Sequence, residues 1–144
     1  MRFTCLLVFA SVLFSGTSTA ALASGDCTEK NAIHAARIVY TIGTWNDLFK
    51  FYTQFESCDD GDVALGNSDR VADLLANHWD KIGQLVDATQ VRPAFEGFVL
   101  YHIDTTMTPD QAKTVLENAR NHCPDGDTKL CRKIEEEVLK STQQ

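Results

Sequence analysis

The 144-residue sequence predicts an all-α domain, a compact bundle of about five or six helices held by two disulfides. Three observations lead there. Apolar residues recur at i, i+3 and i+4 along most of the chain. Helix-start chemistry, as at Thr44 and Thr108-Pro109, stands before the periodic segments. The one stretch with strand character, Arg37-Ile38-Val39-Tyr40-Thr41-Ile42, has no obvious second strand to pair with.

The first element is a leader. Arg2 supplies a positive start, Leu6 to Phe14 form an apolar run, and small residues follow with an Ala21-Leu22-Ala23 pattern. This is the layout of a secretory signal peptide over residues 1–23, cleaved after Ala23, with Ala20 as the alternative site. Residues 24–144 then form a single domain, exported to the periplasm or secreted. Cys27 follows the charged Asp26, so it reads as half of a disulfide and not as a lipid-attachment site.

Cys27 to Gly43 reads as the first helix, with Ile33, Ala36, Arg37 and Tyr40 at helical spacing. Thr44 to Ser57 forms the second. Thr44 caps it, Asp47 suits its first turn, and Trp45, Leu48, Phe49, Tyr52 and Phe55 share one buried face. The third is the longest periodic stretch, carrying Val71, Leu74, Leu75, His78, Trp79, Ile82, Leu85 and Val86. Gly66 and Gly83 weaken it, and a break is expected near Trp79 or Gly83. Pro93 opens a short fourth helix with Phe95, Phe98, Val99 and His102 on its face. Thr108, Pro109 and Gln111 make a capping box for a fifth, which turns Ala112, Val115, Leu116, Ala119 and Cys123 inward. The last runs from about Asp127 to Lys140, burying Leu130, Cys131, Ile134 and Val138 and pairing Glu136 with Lys140 outside.

Four cysteines remain once the leader removes Cys5: Cys27, Cys58, Cys123 and Cys131. An even number in a small exported domain reads as two disulfides, with three connectivities open. The local pairing, Cys27 with Cys58 and Cys123 with Cys131, is favoured because it staples consecutive elements. A zinc site would need close C-x2-C pairs, which this spacing lacks.

No catalytic signature emerges. Asp59-Asp60-Gly61-Asp62 brings its glycine too early for a calcium loop and has no closing Glu, so it reads as a helix start. His78 and His102 lie on apolar faces and read as hydrogen-bonded core histidines. His102 and Asp104, two apart, would not face each other on a helix. Ser68, between Asn67 and Asp69, reads as helix surface or cap. G-x-S-x-G, P-loop and G-x-G-x-x-G motifs are missing from the sequence. No catalytic, cofactor or metal residue is nominated.

With 13 basic and 20 acidic residues the net charge is -7, which argues against nucleic-acid binding. After the leader no apolar run is long enough to span a bilayer. The acidic balance favours encounter with a basic protein partner, through a surface of Asp59, Asp60, Asp62, Asp69, Asp73 and Asp80. The expectation is a non-catalytic, exported protein-binding domain. The alternative is a helical carrier of a small apolar ligand, lined by Trp45, Phe49, Tyr52, Trp79, Phe95 and Phe98. A third reading, a scattered-residue hydrolase around His78 or His102, needs those side chains in one cleft with a carboxylate nearby.

The layout of leader, helical domain, Cys58 after an aromatic-rich helix and Cys123 near the C-terminal end resembles bacterial periplasmic immunity proteins that guard against type VI secretion amidase effectors. That resemblance implies a periplasmic inhibitor plugging a peptidoglycan-cleaving toxin. The phrase Ala72-Asp73-Leu74-Leu75-Ala76-Asn77-His78-Trp79 also resembles uncharacterised small exported bacterial proteins, which implies no function.

Overall fold

Seven α-helices and three single 3-10 turns build residues 26–143, the part of the chain that the computed structural model describes. The leader lies outside the described residues. The helices are α1 (Glu29–Ile38), α2 (Trp45–Phe55), α3 (Gly61–Asn77), α4 (Ile82–Val91), α5 (Ala94–Tyr101), α6 (Pro109–Asn121) and α7 (Thr128–Ser141). Turns at Val39–Thr41, Glu56–Cys58 and Trp79–Lys81 extend α1, extend α2 and join α3 to α4. Among the described residues there is no strand. Both disulfides have the local pairing, Cys27–Cys58 and Cys123–Cys131.

The caps follow their residue chemistry. The Thr44 side chain accepts from the Asp47 N–H, and Thr108 and Gln111 form the full capping box ahead of Pro109. Asp60 caps α3, so the acidic run does start a helix. The helix count exceeds the expected five or six because the long periodic stretch divides at His78. The break lets the Trp79 indole turn inward, where its Nε1–H donates to the His122 carbonyl at 2.8 Å.

Packing corrects two smaller expectations. The buried side of α1 is Ala35, continued by Val39 and Ile42, whereas Ile33 and Tyr40 are 48% and 53% exposed. Both sets have helical spacing, and the close approach of α3 selects the smaller residues. Lys140 pairs with Glu137 at 2.7 Å, one turn back, in place of Glu136. Elsewhere the inward faces hold: Trp45, Leu48, Tyr52 and Phe55 on α2, Val71, Leu74 and Leu75 on α3, Val115 on α6, Ile134 and Val138 on α7. Phe51 joins the α2 face, and Phe49 is half-buried against Phe95, ring centroids 5.1 Å apart.

Helix α6 packs on α7 and α3, and α3 packs on α1 and its 3-10 extension. Gly66 makes the last contact possible. A Cβ at Gly66 would lie 2.4 Å from Val39 Cγ1, well inside van der Waals contact. Gly97, on the exposed side of α5, would meet nothing within 4 Å.

Two stability outcomes follow from this packing. Gly66→Ala lowers the unfolding free energy by roughly 1–3 kcal/mol through overpacking, while Gly97→Ala raises it by roughly 0.5–1 kcal/mol through helix propensity; urea denaturation checks both. The Cys27–Cys58 bridge spans 31 residues and Cys123–Cys131 spans 8. Removing the first by Cys→Ala pairs destabilises more than removing the second, by about 1 kcal/mol on loop-closure entropy. Equal losses in thermal melts would contradict that account.

Candidate functional site

The most concentrated polar chemistry is buried. Asp59 leaves the Glu56–Cys58 turn beside the first disulfide, Asn67 and Ser68 sit in the second and third turns of α3, and His102 closes α5. Asp104 follows in the loop to α6. The side chain of His102 is 1% exposed and Ser68 is 2% exposed. His102 Nε2 lies 3.0 Å from Asp59 Oδ2, and His102 Nδ1 lies 3.0 Å from Ser68 Oγ. Ser68 Oγ is also 2.6 Å from Asp104 Oδ2, and Asn67 Nδ2 donates to Asp59 Oδ1 at 2.9 Å.

A serine, a histidine and two carboxylates in contact invite comparison with a hydrolytic triad. Counting hydrogens decides the sense of the contacts. Ser68 has one hydroxyl hydrogen and its shortest neighbour is the Asp104 carboxylate, an acceptor only. The hydroxyl therefore donates to Asp104. The ring stands between Ser68 and the Asp59 carboxylate, one nitrogen turned to each. A general base must accept the serine's proton; here that hydrogen is directed to Asp104. The arrangement is a closed network across three segments of chain.

Both carboxyls respond to it. Burial pushes the Asp59 carboxyl up, but hydrogen bonds from His102 and Asn67 and the charge of His102 outweigh burial and hold it below the usual carboxylate range. Asp104 is also pushed up by burial and brought below that range by Ser68, Thr106 and the charge of His102.

The structure revises several sequence expectations here. Ser68 is interior, not helix surface or cap. His102 and Asp104 do meet one partner, because α5 ends at Tyr101 and the i, i+2 helix rule no longer applies. His102 is a hydrogen-bonded core histidine as expected, whereas His78 is half-exposed, 3.9 Å from Asp73. Proximity of residues 34 to 45 apart along the chain has no local signal that could have revealed it.

The proposed acidic surface is dispersed by its own contacts. Asp59 belongs to the buried network and Asp60 caps α3. Asp69 and Asp73 pair with Arg70, and Asp80 pairs with Lys81. Asp62 is exposed in the first turn of α3. The six aromatic residues expected to line a ligand cavity pack into the core instead. Tyr52 lies against Phe95 and Phe98 at 5.2 and 4.8 Å, and Trp45 and Phe95 are fully buried. No family model, curated protein or solved structure matches this chain.

The network sets two measurable outcomes. His102→Gln removes the imidazole that bridges Asp59 and Ser68 and lowers stability by roughly 1–3 kcal/mol for each buried partner left unpaired, and Ser68→Ala costs roughly 1–3 kcal/mol by leaving the Asp104 carboxylate and the buried ring without their hydroxyl partner. The pH dependence follows in sign. A carboxyl lowered on folding stabilises above its unfolded value of about 3.9 and loses that contribution as pH falls through the folded value. The urea midpoint therefore drops as pH is lowered from about 4, and Asp59→Asn makes that drop shallower.

Proposed function

We propose that this chain is an exported, non-catalytic protein-binding domain, with an immunity or inhibitor role against a cell-wall-degrading toxin as its most specific form. The observation that carries the reading is the burial of the polar network. The Ser68–His102 pair is sealed from solvent, and the Ser68 hydroxyl is directed to Asp104 and not to the ring. That cluster serves rigidity, which leaves the outer surface to do the work.

Large apolar side chains stand on that surface. Ile33 on α1, Tyr40 in its 3-10 extension and Leu65 on α3, 54% exposed, lie on three elements that pack together. The Cys27–Cys58 bridge pins the start of α1 to the turn preceding α3. Little is lost in ordering a surface that is already rigid, and tyrosine is among the residues enriched at binding hot spots. Two disulfides agree with an oxidising compartment, and no described helix is long and apolar enough to cross a membrane.

The test is inhibition. The oxidised protein is titrated against a panel of purified peptidoglycan amidases, and cell-wall lysis is followed. The expected outcome is stoichiometric inhibition of one enzyme, weakened about thirtyfold by Tyr40→Asp with Leu65→Asp, the loss of a hot-spot contact, and unaffected by Ser68→Ala. Turnover by the chain itself that vanishes in Ser68→Ala, with the melting curve retained, would overturn the reading.

A further inference from the structure

We propose that the groove along α6, beside the end of α7, binds a long-chain carboxylate, with the tail over Met107, Ala112 and Leu116 and the head at Lys113. This site is separate from the protein-binding surface above and from the filled aromatic core. The groove encloses about 770 Å³ and reaches from Met107 to Asn121 and across to Ser141 and Thr142. That volume falls within the range of small-molecule sites, roughly 300–1,000 Å³. From Pro109 to Arg120 the helix rises about 16 Å, so the trough is elongated.

Its floor and rim differ in chemistry. Met107 and Ala112 are buried and Leu116 is half-buried, so the floor is apolar. Ala112 and Leu116 are four residues apart, with Lys113 and Glu117 beside them on the solvent side. Among the described residues Lys113 makes no ion pair, in a chain whose net charge is -7. Arg120, at the far end, is held by Glu135 through its Nε at 2.7 Å. Glu117 lies between the two cations and repels an anion from the middle of the trough. The charge pattern therefore places an anionic head at Lys113 and leaves the apolar floor to an uncharged chain. A peptide helix laid in the trough would have to bring its own acidic residue to Lys113 and a basic one to Glu117. A fatty carboxylate needs one charge alone.

The experiment is isothermal titration of the full, oxidised protein with sodium laurate below its micelle threshold, with dodecanol as the uncharged control. One saturable site is expected. Leu116→Glu abolishes it, Lys113→Gln weakens it about tenfold, as loss of one charge-assisted contact would, and Leu65→Glu leaves it unchanged. Dodecanol binds about tenfold more weakly than laurate on the same ground. Failure of laurate to saturate, or unchanged binding in a folded Leu116→Glu protein, overturns the site. Equal binding of dodecanol, or an unaffected Lys113→Gln, overturns the assignment of an anionic head. Lys113 is exposed, so its variant tests the idea even if Leu116→Glu fails to fold. Sedimentation showing a wild-type dimer that Leu116→Glu dissociates would make the groove a self-association face and overturn the proposal.

Discussion

His102, held between Asp59 on one side and Ser68 with Asp104 on the other, is the contact on which the arrangement of the helices depends. It joins the corner between α2 and α3, the body of α3 and the loop from α5 to α6. Hydrophobic packing alone tolerates sliding, since one apolar contact exchanges for another at little cost. A buried imidazole held on both sides does not slide, because each displaced hydrogen bond leaves a buried polar group unsatisfied. The neighbouring Cys27–Cys58 bridge restricts the same corner covalently, so the polar network and the disulfide reinforce one registration of α1, α2 and α3.

The same network explains why a constellation with catalytic residue types need not be catalytic. Reactivity depends on where the protons sit and whether substrate can approach. Asp104 takes the Ser68 hydrogen, and protein covers Ser68 and His102. The exterior presents apolar residues around α1 and α3 and an open trough along α6, two different kinds of surface. Three of the six aspartates expected at a binding surface pair with Arg70 or Lys81, and Asp60 caps a helix.

Much of the fold was readable from short stretches of chain. Thr44, Thr108 and Gln111 cap helices because a side-chain oxygen three residues away is enough to satisfy the first free amides. The α2 stripe of Trp45, Leu48, Tyr52 and Phe55 is buried because a 3.6-residue repeat puts those side chains on one face. The all-α class follows from signals of the same short range, whereas the cysteine partners lie 31 and 8 residues apart. Where two faces had comparable periodicity, as on α1, neighbouring residues could not choose between them. The glycine contact of Gly66 with Val39 did.

The helices and their caps are properties of residues within about two turns of one another, and those are settled before the chain packs. The meeting of Asp59, Ser68, His102 and Asp104 belongs to the packed state. It requires α3 and the end of α5 to lie side by side, and it requires α5 to stop at Tyr101 so that Asp104 can swing back to Ser68. The break near Trp79 was expected from the chain, but the acceptor of its indole was not: it lies on His122, 43 residues away. Periodicity reports which side of a helix is apolar. It carries no information about which distant side chain that side will meet, and the contacts of Ser68 and His102 are such meetings.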